Sequence, residues 1–518
     1  ALVATGQAQS PGTPAASQAG NGPALAVDTS ADRHPISPLI YGMNFPDAAL
    51  LKDLGLTVQR WGGNATTRYN WQNDTSNRAS DWFFENIPNE NVDVAALPNG
   101  SSSDAFVDQG RKAGIQTILT IPLIGWTPKS RAISCGFASA KYTQQQKADD
   151  TNSCGDGNTP DGTPIVGNDP TDTSKPIGPD FVGDWVQHLV KQFGSGAKNG
   201  VAFYNLDNEP FLWHVTHRDV HPDPVSYDEL RDRTYQFAAA LKQADPSAKT
   251  LGPSEWGWTG YFYSAKDQAG GGSWWSSAPD RKAHGDTPFV EWYLDQMRDY
   301  EQQHGTRILD YLDLHYYPQA QGVALQGAGD MDTQALRLRS TRSLWDASYK
   351  DESWIGEPVR LIPRMKEWAA RYPGTKIALS EYNWGALDTI NGALAQADAL
   401  GIFGREGLDL ATLWAPPSAS QPGAYAFRMF RNYDGKGAAF GDTSLRATSA
   451  DPDKLAIYAA ERADKTLTIV IINKSGQDLS STIALQNAGV PASAHVYHYS
   501  ATKLDGIVAL TKKPGLSR

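Results

Sequence analysis

The chain is poor in cysteine, in basic residues and in long apolar runs. Its 518 residues include two cysteines and no run of 18 apolar residues, which excludes a membrane-spanning helix. Lys and Arg number 46 against 57 Asp and Glu, so the formal net charge is −11. A negative charge of this size disfavours nucleic acids and anionic membranes as partners.

Three common catalytic motifs are also missing. The sequence contains no G-x-S-x-G elbow, no Gly-rich GKS/T loop and no H-E-x-x-H pair. These motifs carry serine hydrolase, phosphate-binding and zinc protease chemistry respectively. Their absence leaves carboxylate chemistry as the main possibility for an enzyme.

Aromatic side chains, by contrast, are abundant. The chain has 16 Trp, 21 Tyr and 16 Phe, while only 20% of its residues are charged. The C–H faces of sugar rings pack flat on indoles, so a Trp-rich acidic protein fits a carbohydrate ligand, although Trp is also an ordinary core residue.

The N-terminal segment, residues 1–23, is rich in Ala, Gly, Gln, Ser and Pro. This composition predicts a flexible segment of the kind that follows a removed secretory signal, so we expect an exported, extracellular protein. Cys135 and Cys154 lie in a polar loop, and in an exported protein we expect them to form a disulfide. Acidic residues around them could hold a structural calcium ion, but no EF-hand spacing occurs and a solvated loop is the simpler interpretation.

A regular alternation of apolar runs and amphipathic helical patterns occupies residues 39–424. Eight predicted strands, nearly all followed by a helix, indicate an α/β fold of the closed (β/α)8 barrel (TIM barrel) type rather than an open sheet. The predicted strands are residues 39–44, 56–60, 115–121, 201–206, 250–254, 309–314, 376–380 and 410–413.

The pattern changes from about residue 425. Residues 425–518 show short alternating segments without helices, which predicts an accessory antiparallel β-sandwich domain. Residues 24–38, which carry the alternating segment Leu25–Asp28, are predicted to add a strand to that domain. A chain of this length is also too long to fold around one simple hydrophobic core, so more than one domain is expected.

Two glutamates lie at the exits of predicted barrel strands. Glu209 follows the strand 201–206, and Glu381 follows the strand 376–380. Strand ends of this kind carry the active sites of barrels, and a pair of carboxylates can protonate a leaving oxygen and attack an anomeric carbon. Amide, basic and aromatic side chains around them can position a sugar. Glycoside hydrolysis that requires no cofactor is therefore the predicted chemistry.

An ordered set of motifs then identifies a family. These are Tyr41-Gly42-Met43-Asn44-Phe45, Arg60-Trp61-Gly62-Gly63-Asn64 with Tyr69-Asn70-Trp71, Asn208-Glu209-Pro210, His315-Tyr316-Tyr317-Pro318, Trp345 to Trp354, and Glu381-Tyr382-Asn383-Trp384. From about residue 24 to the end, the chain resembles glycoside hydrolase family 44. The resemblance implies a retaining endo-β-1,4-glucanase that acts on cellulose-type chains and often on xyloglucan. It also implies an accessory β-domain built from both termini.

By position, the resemblance makes Glu209 the acid/base and Glu381 the nucleophile. We expect Arg60 to hold Glu381 ionised, and the negative field of Glu381 to raise the pKa of Glu209 so that it is protonated at rest. Glu255 is a less favoured alternative acid. The predicted substrate-binding residues are Asn44, Arg60, Asn64, Trp71, Asn208, His315, Tyr317, Trp345, Trp384 and Trp414.

Several of these predictions have alternatives. Each Trp could be core packing instead of a sugar platform, and His315 could be a satisfied buried histidine instead of a ligand-facing one. The activity could be that of another retaining barrel glycosidase, such as a mannanase, xylanase or arabinofuranosidase. A non-catalytic glycan-binding protein is a third hypothesis, and a monomer is expected in each case.

Overall fold

The structure, a computed structural model, describes residues 2–5, 21–489 and 493–510. Most of the predicted flexible segment 1–23 lies outside the described residues. The prediction of a flexible chain is wrong for Leu2–Thr5, which forms a strand paired antiparallel with two strands near the C-terminus. Leu, Val and Thr favour the strand conformation, so this short piece can pair although the composition around it is polar.

The described residues form 24 strands. In chain order they are β1 Leu2–Thr5, β2 Leu25–Asp28, β3 His34–Pro35, β4 Gly42–Asn44, β5 Val58–Trp61, β6 Thr75–Asn77, β7 Glu85–Pro88, β8 Gln116–Ile121, β9 Trp126–Pro128, β10 Ser134–Cys135, β11 Ala148–Asp149, β12 Cys154–Gly155, β13 Ser174–Pro176, β14 Phe203–Leu206, β15 Lys249–Glu255, β16 Tyr311–Tyr316, β17 Lys376–Tyr382, β18 Leu410–Leu413, β19 Thr443–Ser449, β20 Leu455–Glu461, β21 Leu467–Asn473, β22 Ile483–Gln486, β23 Ser493–Ser500 and β24 Lys503–Leu510.

The α-helices of the described residues are α1 Ala48–Asp53, α2 Ser102–Ala113, α3 Pro179–Phe193, α4 Trp213–Thr216, α5 Tyr227–Ala244, α6 Trp258–Phe262, α7 Ala265–Gln268, α8 Trp274–Ser277, α9 Pro279–Ala283, α10 Phe289–His304, α11 Met331–Arg339, α12 Leu361–Ala369, α13 Ile390–Glu406 and α14 Pro422–Arg431. None of these helices combines the length and the apolar character that a membrane crossing requires.

Eight strands form a closed barrel in the order β14-β15-β16-β17-β18-β4-β5-β8. Neighbours run parallel and in register, as where Tyr204 lies opposite Leu119 on one side and Thr250 on the other. Such strands are buried on both faces, which explains why they read as continuous apolar runs in the sequence. The prediction of a (β/α)8 barrel is confirmed.

Helix boundaries follow local chemistry. Helix α5 begins after Ser226, whose hydroxyl accepts from the backbone N–H of Glu229, and two acidic residues occupy its first turn. Helix α3 begins with Pro179. Proline has no backbone N–H, but an N–H in the first turn of a helix has no intrahelical acceptor, so no helical hydrogen bond is lost there.

The chain divides into two compact units. The first unit comprises Ala1–Thr57, Tyr317–Met365 and Glu381–Arg518, and the second comprises Val58–Tyr316 and Lys366–Ser380.

The first unit contains a nine-stranded sheet in the order β22-β2-β19-β20-β21-β1-β23-β24, with β3 paired to β19. The N-terminal strand β2 lies between β19 and β22, and its Val27 lies opposite Ala447. Val27, Leu445, Ile457 and Ile469 are among the residues of a buried apolar cluster on this sheet. These contacts between distant parts of the chain hold residues 25–28 in the C-terminal sheet.

The predicted start of the β-domain at residue 425 is too early. Residue 425 lies inside helix α14, and the next strand of the sheet begins at Thr443. The helix buries Phe427 and Phe430 on one face, so it completes the last strand–helix repeat before the sheet begins.

The second unit carries the cysteine loop. Cys135 and Cys154 form a disulfide with an S–S distance of 2.05 Å and Cα atoms 5.9 Å apart. Acidic side chains of the loop accept hydrogen bonds from their own turns, as Asp149 does from the N–H of Thr151 and Asp169 from the N–H of Thr171, both at 2.9 Å. Structural calcium in this loop remains a prediction.

Candidate active site

Glu209 lies just past the carboxyl end of β14 in a tight, strained turn. Asp207 and Glu209 both have left-handed backbone angles, with φ of 69° and 49°. Such angles cost of order 1–3 kcal/mol for residues other than glycine and persist only where neighbours enforce them. The Glu209 N–H donates to the carbonyl of Ser254 at 3.0 Å, which ties the turn to β15.

The carboxylate of Asp207 is the anchor of this turn. It accepts hydrogen bonds from the N–H of Leu123 at 2.5 Å, from Oγ1 of Thr67 at 2.7 Å and from the N–H of Asn208 at 2.7 Å. Burial nevertheless raises the pKa of Asp207 to about 6. Sequence reasoning missed this residue, although an Asp directly before Asn-Glu-Pro at a strand end was a usable signal.

His315 contacts Glu209 and not the solvent. Its side chain is fully buried, its Nδ1 lies 2.8 Å from Oε1 of Glu209, and its Nε2 lies 3.1 Å from Oγ of Ser380. The prediction that His315 binds substrate directly is therefore wrong. A histidine at the end of β16 points into the barrel, where the neighbouring strand ends supply its partners.

Asp313 is the centre of a buried polar network beneath Glu209. Its Oδ2 accepts from Oγ of Ser380 at 2.6 Å, from Oγ of Ser254 at 2.7 Å and from Nδ2 of Asn205 at 2.6 Å. Its Oδ1 accepts from the N–H of Ser380 at 2.9 Å. With four donors, this buried carboxylate is well satisfied, and it holds side chains of three other strands, β14, β15 and β17, in fixed positions.

Arg60 is fully buried and joins two amides. Its Nε donates to Oδ1 of Asn205 at 2.9 Å, and its Nη2 donates to Oδ1 of Asn208 at 3.0 Å. A Cβ on Gly62 would lie 2.2 Å from the guanidinium carbon of Arg60, so only glycine fits at that position. The role of Arg60 toward Glu381 remains a prediction.

Asn208 links the acid to the loop after β5. Its Oδ1 also accepts from the N–H of Gly63 at 3.0 Å, and its Nδ2 donates to Oδ1 of Asn64 at 3.3 Å. Asn64 in turn donates to Oδ2 of Asp81 at 3.0 Å. The second unit thus brings together five of the predicted residues: Arg60, Asn64, Asn208, Glu209 and His315.

Burial sets the protonation state of Glu209. Its side chain is 14% exposed, and burial raises its pKa to about 7, with Arg60 opposing the shift and Asp81 adding to it. We predicted a raised pKa from the field of Glu381, whereas burial is the largest cause. A carboxyl group of this pKa carries its proton for a substantial fraction of the time at neutral pH, as a general acid must.

Glu255 is unsuited to the alternative role of acid. It is completely buried at the end of β15, and neither carboxyl oxygen accepts a hydrogen bond from a side chain of the described residues. Burial, followed by the charge of Glu209, raises the pKa of Glu255 well above the usual range, which favours its neutral form. A buried group without access to solvent cannot reach a glycosidic oxygen.

The first unit holds Glu381 near the end of β17. Glu381 is 4% exposed, and Oη of Tyr317 donates to its Oε2 at 2.9 Å. In the same unit, Nδ2 of Asn44 donates to the carbonyls of Thr412 at 3.2 Å and Leu413 at 3.3 Å, which fixes the end of β4 against β18. Tyr317 is thus placed to orient the carboxylate of Glu381.

Two predicted sugar platforms are core residues instead. Trp71 is 7% exposed and donates its indole N–H to the carbonyl of Phe181 at 3.1 Å. Trp384 is 1% exposed and donates to Oγ of Ser340 at 3.1 Å. Neither ring has a free face for a sugar, so both predictions are wrong. The sequence pattern cannot distinguish an indole at a strand exit that points inward from one that points outward.

Trp345 is also displaced from the predicted site. It lies 4.1 Å from the guanidinium of Arg405, which is in the last turn of α13. That helix spans 17 residues and, in a barrel of this type, runs back from the strand end where Glu381 lies, so its last turn lies toward the opposite end of the repeat. Trp414, by contrast, remains at the exit of β18, where its carbonyl accepts from Nδ2 of Asn383 at 2.7 Å.

Two exposed tryptophans were missed or undervalued. Trp354 is 59% exposed and donates to Oε1 of Gln319 at 3.3 Å, in the loop that follows Tyr317. Trp82 is 51% exposed and directly follows Asp81, the partner of Asn64. The run Trp82-Phe83-Phe84 in an otherwise polar loop was the signal for the second.

The chain is similar to known proteins in sequence and in fold. The sequence profile described as glycoside hydrolase family 44 matches residues 75–320. The chain is 31% identical over 509 residues to Endoglucanase A of Paenibacillus lautus. The alignment covers 93% of this chain and 68% of that protein.

Solved structures are similar over nearly the whole chain. CelM2, a bifunctional glucanase-xylanase from a metagenome library, is 43% identical with a TM-score of 0.91, over 96% of both chains. A Paenibacillus polymyxa xyloglucanase from family 44 is 30% identical with a TM-score of 0.77, over 94% of both chains. Similarity of this extent in sequence and in fold shows that the chain belongs to glycoside hydrolase family 44.

Proposed function

We propose that this protein is a retaining endo-β-1,4-glucanase that cleaves internal bonds of cellulose-type glucans and of xyloglucan. Glu209 is the acid/base and Glu381 is the nucleophile. The observation that carries the proposal is the state of Glu209, a largely buried carboxyl group with a pKa of about 7, at the end of a barrel strand. Glu381 lies at the end of another barrel strand, with Tyr317 bonded to it.

In the first step, the O–H of Glu209 gives its proton to the leaving glycosidic oxygen. The carboxylate of Glu381 attacks the anomeric carbon from the other face, which forms a glycosyl–enzyme ester as the glycosidic bond breaks. Tyr317 holds the attacking carboxylate in one orientation. Asn208, next to the acid, is the proposed partner of the neighbouring sugar hydroxyl.

In the second step, Glu209 acts as the base. Its carboxylate removes a proton from water, the water oxygen attacks the anomeric carbon, and Glu381 leaves as a carboxylate. Glu209 is then protonated again and the stereochemistry is retained. Two carboxylates suffice for this cycle, so no cofactor takes part.

The substrate assignment rests on the relatives and on exposed aromatic rings. The similar proteins are named endoglucanase, glucanase-xylanase and xyloglucanase. In this chain, Trp82 and Trp354 present indole rings to solvent, and such rings bind the faces of sugars along a polysaccharide.

The decisive experiment measures release of reducing ends from carboxymethylcellulose, xyloglucan, xylan and mannan by the purified protein. We expect the β-1,4-glucans to be the best substrates, with the β-anomer formed first as seen by ¹H NMR. Preference for xylan or mannan would reassign the substrate, formation of the α-anomer would reject retention, and binding without cleavage would reject the enzyme.

Export and a monomeric state complete the proposal. The N-terminal composition supports export, and the enzyme's activity should then be found in the culture fluid of its source rather than in washed cells. Light scattering of the purified protein should give a mass near 56.2 kDa.

A further inference from the structure

A hydrogen-bonded chain runs from the centre of the barrel to Glu209. It connects Asp313, Ser380, His315 and Glu209, with heavy-atom distances of 2.6, 3.1 and 2.8 Å in that order. All four residues belong to the second unit. The direction of each hydrogen bond in the chain follows from the chemistry of its members.

Asp313 sets the direction at the inner end. An ionised carboxylate only accepts hydrogen bonds, so the hydroxyl of Ser380 donates its proton to Asp313. The oxygen of Ser380 then presents a lone pair to His315. Nε2 of His315 must therefore carry a hydrogen, and the neutral imidazole has a lone pair on Nδ1.

We propose that His315 is a positioning residue, a neutral imidazole whose Nδ1 accepts the carboxylic O–H of Glu209 and holds the proton of the acid in place. The inference rests on the proposed role of Glu209 as acid/base. The competing arrangement is an imidazolium that donates from Nδ1 to an ionised Glu209.

The two arrangements have opposite effects on Glu209. A neutral acceptor stabilises the protonated carboxyl group and raises its pKa, whereas an imidazolium stabilises the carboxylate and lowers its pKa. In the proposed cycle, the proton leaves Glu209 for the glycosidic oxygen in the first step. The lone pair of Nδ1 then faces a carboxylate, which favours the return of a proton from water in the second step.

Several charged and titratable groups of the second unit surround His315 and Glu209. Arg60 is on β5 and Asp81 lies between β6 and β7. Asp207 is in the turn before the acid, and Glu255 ends β15. Asp313 is on β16, and Tyr261 of α6 donates its hydroxyl to the carbonyl of His315. None of these groups lies between Nδ1 and Oε1, so a substitution of His315 acts on Glu209 directly.

The first test measures the pH profile of kcat/KM on an unactivated cello-oligosaccharide, in particular its alkaline limb, where kcat/KM falls as the pH rises. His315→Leu removes the acceptor and is expected to lower the pH of that limb by about one unit, the effect of one neutral hydrogen bond. Ser380→Ala frees the ring to place its hydrogen on Nδ1 and is expected to move the limb in the same direction. A limb that stays in place or moves to higher pH in His315→Leu overturns the proposal.

The second test reads the ring nitrogens of His315 in the wild-type protein, and a variant serves only to assign their signals. In protein labelled with ¹⁵N-histidine, the signals of His315 are those missing from His315→Asn. At pH 6 we expect one protonated and one unprotonated ring nitrogen. Two protonated nitrogens would overturn the proposal.

Two controls separate this inference from the proposed function. His188→Asn removes a part-buried histidine bonded to another carboxylate, that of Asp104, and should leave the limb in place. Glu209→Gln tests the acid itself. Full activity in Glu209→Gln rejects the role of Glu209. If Glu209→Gln is inactive and the alkaline limb of His315→Leu moves to higher pH, only the role of His315 is rejected.

Discussion

Nδ1 of His315 lies 2.8 Å from Oε1 of Glu209, although the two residues are 106 positions apart in the sequence. Strand β15 separates their two strands in the barrel, so closure of the parallel sheet brings both side chains to the same strand ends. The contact explains how a carboxyl group at a strand exit is held ready to give up a proton, and it leads to several measurable consequences.

The pH dependence of activity should follow the protonation of Glu209. Its raised pKa of about 7 means that the fraction of protonated acid falls as the pH rises through 7. We expect kcat/KM for cello-oligosaccharides to drop about tenfold for each pH unit above that value. An aryl β-cellobioside with a good leaving group needs no acid in the first step, so its profile should lack this limb.

Removal of the acid should separate the two steps. Glu209→Gln should lower turnover of polysaccharide by about 10²–10⁴-fold, while attack on an activated aryl glycoside continues. In Glu209→Ala, added azide should replace water in the second step and restore turnover of the activated substrate. Equal losses on both substrates would contradict the assignment.

The variant Glu209→Gln should also be more stable than the wild type at high pH. The folded-state pKa of about 7 lies above the ordinary 4.5, so the folded state binds more protons than the unfolded state between these values. The free energy of unfolding therefore falls as the pH rises from 4.5 to 7, and the loss is complete above 7. We expect Glu209→Gln to unfold with about 3 kcal/mol more free energy than the wild type at pH 8 and with no gain at pH 4. Urea titration at both pH values measures the difference.

The nucleophile should tolerate no substitution. Glu381→Gln should abolish the turnover of both activated and unactivated substrates, because the covalent intermediate cannot form. Glu357→Gln changes an exposed glutamate of the same unit and serves as the matched control, with activity close to that of the wild type. A fluorinated glycoside that traps the intermediate should add its sugar to a peptide containing Glu381, as mass spectrometry would detect.

The disulfide should contribute to stability and not to activity. Cys135 and Cys154 close a loop with a sequence separation of 19, for which loop-closure entropy predicts about 3 kcal/mol. The double variant Cys135→Ser, Cys154→Ser should unfold at lower urea concentration than the wild type. Its kcat at 25 °C should be unchanged, and a large drop in kcat would mean that the loop shapes the active site.

Exposed and buried tryptophans should respond in opposite ways. Trp354→Ala removes a ring that is 59% exposed, so we expect a higher KM on polysaccharide and a change in stability within about 0.5 kcal/mol. Trp384→Ala removes a ring that is 1% exposed and should cost about 3–5 kcal/mol of unfolding free energy. Calorimetry and KM measurements on the two variants test the assignment of platform and core.

Local patterns in the sequence were sufficient for the barrel. Buried parallel strands read as short apolar runs, and each of the eight predicted runs overlaps a strand of the closed barrel. The polar residues that follow these runs, among them Glu209 and Glu381, could be located because strand ends in a barrel carry the chemistry. The boundary at residue 425 failed because an amphipathic helix, α14, completes the last repeat.

The sequence by itself determined the barrel, the two carboxylates at strand exits and the family, because apolar periodicity and motif order are properties of short segments. Only the tertiary structure decided that Trp71 and Trp384 are core residues and that His315 serves Glu209 and not the substrate. It also revealed Asp313 as the centre of the network beneath the acid. These outcomes depend on which side chains from distant strands share the barrel interior, and hydrogen bonds formed there select one tautomer and one protonation state.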